Sequence, residues 1–448
     1  FCLSRGLGDV YKRQGVVRAP LGAIVLGDVS SALGSQRLTL LPGSVTSVSG
    51  AGLLMPYGGT TDGVSYKFKG AEVSLVGAGG ATGSGGGASL RTGITLGFRD
   101  VDALPGSVLD LSGGGELTGA GFVSGRGGST DARYSPLVRN NPKGGFTLPG
   151  LAANPVYAIV PGVQPGYAPS GGEAGASAPG LGQQITIGAG VPGLPAGTYT
   201  LMPSTYALLP GAFRVEINTG ATAGASMAPA QMRNLSWAAS GTLSTAGTRV
   251  ADSLATPVIL TPANVLRTYS QYNETSYASF VRADAGTRGV PRAMLPADGR
   301  TLRLAVHAGS QDGQALRFEG LADFKPAEGG FGGAAALSGG SSSVEILAAG
   351  QAPTAGFAGA SVQAEALAAL GASRLVIGAL PVVMYGQGGR FYTFQGGAND
   401  VVMRAGAQLA APEVLISSRT IELEAGAGIS TLARGAPSVD STNGYAFE

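Results

Sequence analysis

Histidine and cysteine are close to missing: the chain has one of each, His307 and Cys2, in 448 residues. One cysteine excludes an internal disulfide, and one histidine beside it leaves too few ligands for a zinc site. Charge is scarce as well. Charged residues make up 12% of the chain, about half the usual ~25%. The 29 basic and 27 acidic residues leave a net charge of +2. No basic run tracks a phosphate backbone, so no nucleic-acid partner is expected. Aromatics are 6%, so a core has to come from Val, Leu, Ile and Ala. No apolar run reaches the ~18 residues of a membrane helix. No membrane span, signal peptide, metal or cofactor is read from the chain.

What is abundant is glycine, 77 residues, in a chain that is 44% apolar with a mean hydropathy of +0.21. Short runs alternate apolar and polar residues, the period of a half-buried strand. Examples are Arg37–Leu41, Ala71–Val76, Ser107–Leu111, Thr301–Val306, Ser343–Leu347, Asp400–Arg404, Glu413–Ile416 and Thr420–Glu424. Gly-rich turns separate them. Pro42-Gly43-Ser44-Val45 returns as Pro105-Gly106-Ser107-Val108, a literal internal repeat. Runs this short bury too little to stand as lone hairpins, but stacked in parallel they bury a continuous aliphatic column. The expected fold class is therefore all-β: a right-handed parallel β-helix, a solenoid, carrying an irregular Pro/Gly-rich insertion and a small inserted β-unit.

The expected organisation places β-helix coils over 15–128 and a Pro/Gly/Ser-rich loop or insertion over 129–182. The small inserted β-unit covers 183–217, a mixed loop and strand segment 218–300, and further coils 301–448, continuing past the end of the chain. One short helix is expected at Val362–Leu370, stopped by Gly371. Residues 1–14 differ from everything after them. Asp9–Gln14 back-translates to a sequence that resembles the mosaic end of a transposon used in preparing sequencing libraries. Residues 1–14 are read as an assembly artefact and left out of fold reasoning. The chain starts without Met and stops in mid-pattern, so it is expected to be an internal fragment.

The block Gly182–Ile217, GQQITIGAGVPGLPAGTYTLMPSTYALLPGAFRVEI, resembles a segment of large exoproteins of the filamentous-haemagglutinin family. The units VLDLSGGGELTGAGF at 108–122 and AEALAALGASRLVIGA at 364–379 are similar to coils of the same family. The resemblance implies a bacterial β-helical passenger, exported by two-partner secretion through an outer-membrane transporter. It implies a secreted or cell-surface adhesin that meets a glycan or protein on a host or neighbouring cell. The family's secretion domain is not in this chain.

No catalytic constellation stands out, and the chain is not expected to be an enzyme. His307 ends an apolar run and has no nucleophile elbow near it in sequence. Asp100, Asp102, Asp110, Glu116 and Asp131 are the carboxylates that a carbohydrate-active β-helix enzyme, lyase or glycosidase, would use. That is the alternative reading; a third makes the chain the stalk of a contact-dependent toxin. The best binding candidates are aromatics set among polar residues, which can stack on sugars or anchor a partner. They are Tyr269, Tyr272, Tyr277 and Phe280 in one stretch and Tyr385, Phe391 and Tyr392 in another.

Overall fold

The computed structural model describes residues 2–4, 10–27, 35–77, 88–125, 130–135, 154–162, 178–289, 292–306, 314–338, 343–384, 391–395, 397–435 and 446–447. The fold is all-β in character, with parallel sheets and few helices. The chain divides into two compact units. The first comprises Phe1–Leu53, Glu72–Glu116 and Ala278–Glu448, the second Leu54–Ala71 and Leu117–Tyr277.

The first unit is governed by parallel register. Strands Ala23–Gly27, Ala88–Ala103, Thr301–Val306, Ala334–Ser338, Arg374–Ile377 and Glu413–Ile416 pair side by side in that order. Parallel pairing without slip puts like beside like. Ile24, Ile94, Leu302, Ala335, Leu375 and Val414 form one column. Leu26, Leu96, Leu304, Leu337, Ile377 and Ile416 form the next. All but Val414 and Ile416 are buried. Side chains on a strand alternate faces, so a slip of one residue would turn a whole rung outward. On the opposite face Ala336 and Val376 are buried too, clustered with Leu380 of a separate sheet, as is usual for parallel sheets covered on both sides.

The sixteen-residue strand Ala88–Ala103 serves three groups of neighbours, of which residues 88–92 pair with 73–77 of the strand Ala71–Gly77. Residues 93–97 pair with 23–27, and 98–103 pair with Ser35–Leu40 and Leu316–Phe318. The last stretch extends the core with the columns Leu38, Val101, Leu316 and Leu40, Ala103, Phe318. Gly27, the last residue of the strand Ala23–Gly27, has φ +82, and a Cβ there would lie 2.2 Å from the Gly97 carbonyl oxygen. No L-residue fits that position without backbone movement.

The repeated Pro-Gly-Ser-Val turns are stacked corners. Gly43 N–H donates to Gly106 O at 2.9 Å, and the strands that follow, Val45–Ser47 and Val108–Asp110, pair in parallel with Val45 opposite Val108. Val16–Arg18 and Leu321–Asp323 flank them. A further parallel sheet holds Ala360–Gln363, Val344–Leu347, Ala398–Met403 and Ser418–Leu423. The short helix is Ala364–Ala369, shorter than the sequence pattern suggests because Ala360–Gln363 is drawn into that sheet. Residues 1–14 contribute the strands Cys2–Ser4 and Val10–Arg13, and the Tyr11 ring meets Phe98 edge-on at 5.2 Å.

The second unit follows different rules. Its eight-stranded sheet runs Gly197–Thr200, Gln183–Ile187, Trp237–Thr245, Thr256–Pro262, Phe213–Ile217, Val156–Ile159 and Met202–Pro203, with Ala230–Gln231 beside Trp237–Thr245. Its strands pair antiparallel. The strands within 183–217 thus share one sheet with 156–159 and 237–262, so they belong to a larger body than a separate small unit. Ile185, Ile187, Val215 and Leu260 build the core of one face. Met202, Tyr206, Leu208 and Leu266 build the other, under the 3-10 turn Ser204–Leu208 and helix Ala263–Tyr269.

Charges inside the first unit are clasped across strands. Glu345 is buried and accepts from Ser361 Oγ at 2.7 Å, Thr354 N at 3.0 Å and Arg404 Nε at 2.7 Å. Arg404 also reaches Glu424 at 2.7 Å. Burial pushes the Glu345 carboxyl up, but the hydrogen bonds from Ser361, Arg404 and Thr354 outweigh it and its pKa lies below the ordinary value. A depressed folded pKa contributes stability above the unfolded value, and this is lost as pH falls through the folded one. Stability measured by urea denaturation should therefore drop between about pH 5 and about pH 3, and Glu345→Gln should flatten that slope. Leu304→Ala should cost about 2–5 kcal/mol by the same measurement, since its column neighbours are held by their own pairing and cannot close the cavity.

Candidate functional site

The stretch from Tyr269 to Phe280 spans the end of helix Ala263–Tyr269, the strand Tyr272–Ser276 and the start of helix Tyr277–Arg288. The strand pairs antiparallel with Glu116–Phe122, Tyr272 opposite Phe122. Ser270 fastens a distant segment beside it: its Oγ donates to Thr130 O at 2.9 Å and accepts from Ala132 N at 3.1 Å. This brings Asp131 and Arg133 to Tyr272. The Tyr272 hydroxyl donates to Asp131 Oδ1 at 2.9 Å. Arg133 pairs with Asp131 at 2.7 Å, its guanidinium 4.9 Å from the Tyr272 ring centroid and 4.7 Å from that of Tyr134. Burial and then the Asp131 charge push the Tyr272 pKa up, so the phenol remains a donor.

The other aromatics are also engaged. The Tyr269 hydroxyl donates to Asn234 O and sits 3.0 Å from Ser236 Oγ. Tyr277 is fully buried, edge-on to Tyr66 at 5.3 Å. That makes Tyr277 a core residue in this fold and removes it from the surface expected of a ligand-contact aromatic. Phe280 is half-buried. Tyr385 and His307 lie outside the described residues. Phe391 and Tyr392 are described by backbone alone, in a strand paired with Leu380–Met384.

Behind the tyrosines lies an ion pair that sequence reasoning passed over. Arg214 and Glu216 on the strand Phe213–Ile217 are both 0% exposed, with Arg214 Nη1 3.1 Å from Glu216 Oε2. Arg214 also donates to Ser135 O, and Asn154 Nδ2 donates to Glu216 Oε1 at 3.0 Å. Burial pulls the Arg214 pKa down while Glu216 opposes it. The signal was present: Arg-x-Glu inside an apolar five-residue strand puts two opposite charges on one face.

A small pocket opens beside this cluster. Arg133, Glu274, Thr118 and Thr205 give it polar edges, and Leu208 and Leu209 an apolar wall. Glu274 is held by Arg267, which donates to both its carboxylate oxygens. It has room for one or two waters rather than a sugar ring.

Of the carboxylates expected of the enzyme alternative, Asp100, Asp102, Asp110 and Asp131 are each engaged by an arginine or a hydroxyl. Asp100 is buried 3.8 Å from Arg37. Asp102 lies 3.5 Å from both Arg37 and Arg317. Asp110 accepts from Ser47 Oγ and Ser112 Oγ, each at 2.7 Å. Asp131 belongs to the second unit, and Glu116 is exposed. Among the described residues no group of three His, Cys, Asp or Glu could hold a metal ion, and no helix is long and apolar enough to cross a membrane.

Comparison with protein-family models, with curated proteins and with solved structures returns no match.

Removing one member of a buried pair leaves the other charged and unsolvated. Glu216→Gln should therefore lower the stability of the second unit by about 3–5 kcal/mol. Tyr272→Phe, which deletes one hydrogen bond to a carboxylate, should cost about 1.5–3 kcal/mol. Denaturation followed by the single Trp237, on a strand of that sheet, reads both.

Proposed function

We propose that the chain is a non-catalytic, adhesive and structural segment of a secreted or cell-surface exoprotein of the filamentous-haemagglutinin type. Its first unit is read as a right-handed parallel β-helix. The observation that carries the reading is the pair of unbroken aliphatic columns running through six parallel strands, from Ile24 to Val414 and from Leu26 to Ile416. A protein whose interior is a repeated column offers a long, regular surface, which suits contact at a cell surface. The stacked Pro-Gly-Ser-Val corners support the same reading. So does the occupation of Asp100, Asp102, Asp110 and Asp131 by arginines and hydroxyls, which leaves them poorly placed to act on a glycosidic bond. Export would use a two-partner-secretion transporter of the outer membrane. The ligand would be a surface glycan or protein met by exposed loops.

The test is saturable binding of the purified chain to cells and to immobilised glycans, followed with an assay for new reducing ends. Binding without turnover is expected, unchanged in Asp102→Asn. Specific cleavage of a polysaccharide, lost in that variant, would overturn the reading in favour of an enzyme.

A further inference from the structure

Arginines on the outer face of the first unit's long parallel sheet are treated in two ways. Arg374 lies opposite Glu413 and binds it at 2.7 Å. Arg303, two strands away on the same face, lies between Thr95 and Ala336, neither of which can balance a charge. It is half-buried, its Nε is buried without a hydrogen-bond partner, and it makes no ion pair among the described residues. Burial pulls its pKa below the ordinary value, with no neighbouring charge to oppose the shift. Arg99 shares this condition: it is half-buried, with a buried, unpartnered Nε and no ion pair among the described residues. A buried cation without a counter-charge is costly, and a buried polar atom without a partner calls for one.

The two arginines flank a floor of small residues. Leu302, Leu304 and Val306 belong to the core, so Arg303 and Ala305 take the outer face. Leu96 and Phe98 belong to the core, so positions 97 and 99 take it as well. Gly97 lies opposite Ala305, and both are buried. Ser338 lies opposite Ala305 on the other side. It is 4% exposed, and its Oγ has no hydrogen-bond partner. With strands about 4.8 Å apart and a rise of about 3.3 Å per residue, the Cα of Ser338 is about 8 Å from that of Arg303, and the Cα of Arg99 about 14 Å from it. The apolar cluster of Ala336, Val376 and Leu380 begins on the strand beside Arg303.

We propose that this face carries an anion site, in which Arg303 and Ser338 hold one oxyanion, a carboxylate or a phosphate, and Arg99 meets a second negative charge across Gly97. A guanidinium presents a planar fork of donors that matches such an oxyanion, and the serine hydroxyl adds one more. The small residues at 97 and 305 leave the space between the two cations to the ligand. Two cations favour a dianion over a monoanion. The site supplies the counter-charge that the fold withholds from Arg303 and Arg99 and gives to Arg374. The proposal does not depend on the adhesive reading.

The test is thermal unfolding of the full chain, titrated with sodium phosphate, succinate or acetate against sodium chloride at matched ionic strength. A ligand that binds only the folded state raises Tm with its concentration. Phosphate or succinate should raise Tm saturably, at concentrations about tenfold lower than acetate requires, and chloride should not. A response to phosphate alone assigns the site to phosphoryl ligands, and one to succinate alone to carboxylates. Arg303→Met should abolish the response. Without ligand that variant should melt above the parent chain, because it removes a cation that the fold leaves unpaired. Arg99→Met should erase the preference for dianions and keep the response to acetate. Ser338→Ala should weaken binding about fivefold. No saturable response beyond that to chloride, or a response that Arg303→Met leaves intact, would overturn the proposal. So would an Arg303→Met chain that melts below the parent without ligand, the behaviour of an arginine that serves only the fold.

Discussion

Parallel register is the constraint on which the first unit rests. A strand turns its side chains alternately to two faces, and a parallel neighbour without slip repeats that alternation at the same height. Once Ile94 and Leu96 face inward, the residues paired with them on either side have to be apolar and of compatible size. Ile24 and Leu26 meet that demand on one side, Leu302 and Leu304 on the other. The turns then have to deliver each strand at the right height, which is what the two Pro-Gly-Ser-Val corners do. Polar groups caught between layers are matched by the same logic, as where Arg37 meets Asp100 and Asp102 on its paired neighbour. Even the long clasp from Glu345 through Arg404 to Glu424 joins strands that register has already brought side by side.

This is why the first unit was largely legible in the sequence. Thr301–Val306 and Glu413–Ile416 appear as strands with the bounds that alternation suggests, and the repeated tetrapeptide marks two corners of neighbouring layers. Alternation is local, so it can be read without knowing the partner. The second unit was less legible because its partners are far away and antiparallel. Val156–Ile159 is four apolar residues within a Pro/Gly-rich stretch, and only pairing with Phe213–Ile217 makes it the inside of a sheet. Nothing within 129–182 alone announces that pairing.

The aromatic residues show the same limit at a finer scale. Tyr269, Tyr272 and Tyr277 alternate with Ser, Asn, Glu and Thr, a pattern that reads as an exposed, adhesive edge. Their hydroxyl partners and ring neighbours come from elsewhere: Asp131 for Tyr272, Asn234 for Tyr269 and Tyr66 for Tyr277. A tyrosine is amphipathic, so sequence alone does not say whether its apolar body meets a ligand or its own core. The Arg214–Glu216 pair went unread for the opposite reason. Two charges in so short a strand look solvated until both faces of the sheet are found to be covered.

The spacing of neighbours in the columns carries a consequence for inheritance. Ser47 and Asp110, joined across adjacent strands, are 63 residues apart in the chain, while Asp102 and Arg317, also on adjacent strands, are 215 apart. The longer excursion contains most of the second unit. Because the entropy of closing a loop grows only with the logarithm of its length, the longer one costs about 1 kcal/mol more than the shorter. The layers are nearly indifferent to what is spliced between them. A gene encoding such a protein can gain, lose or exchange whole bodies at these points and keep its interior intact, so its outer surface is free to diversify far faster than its core.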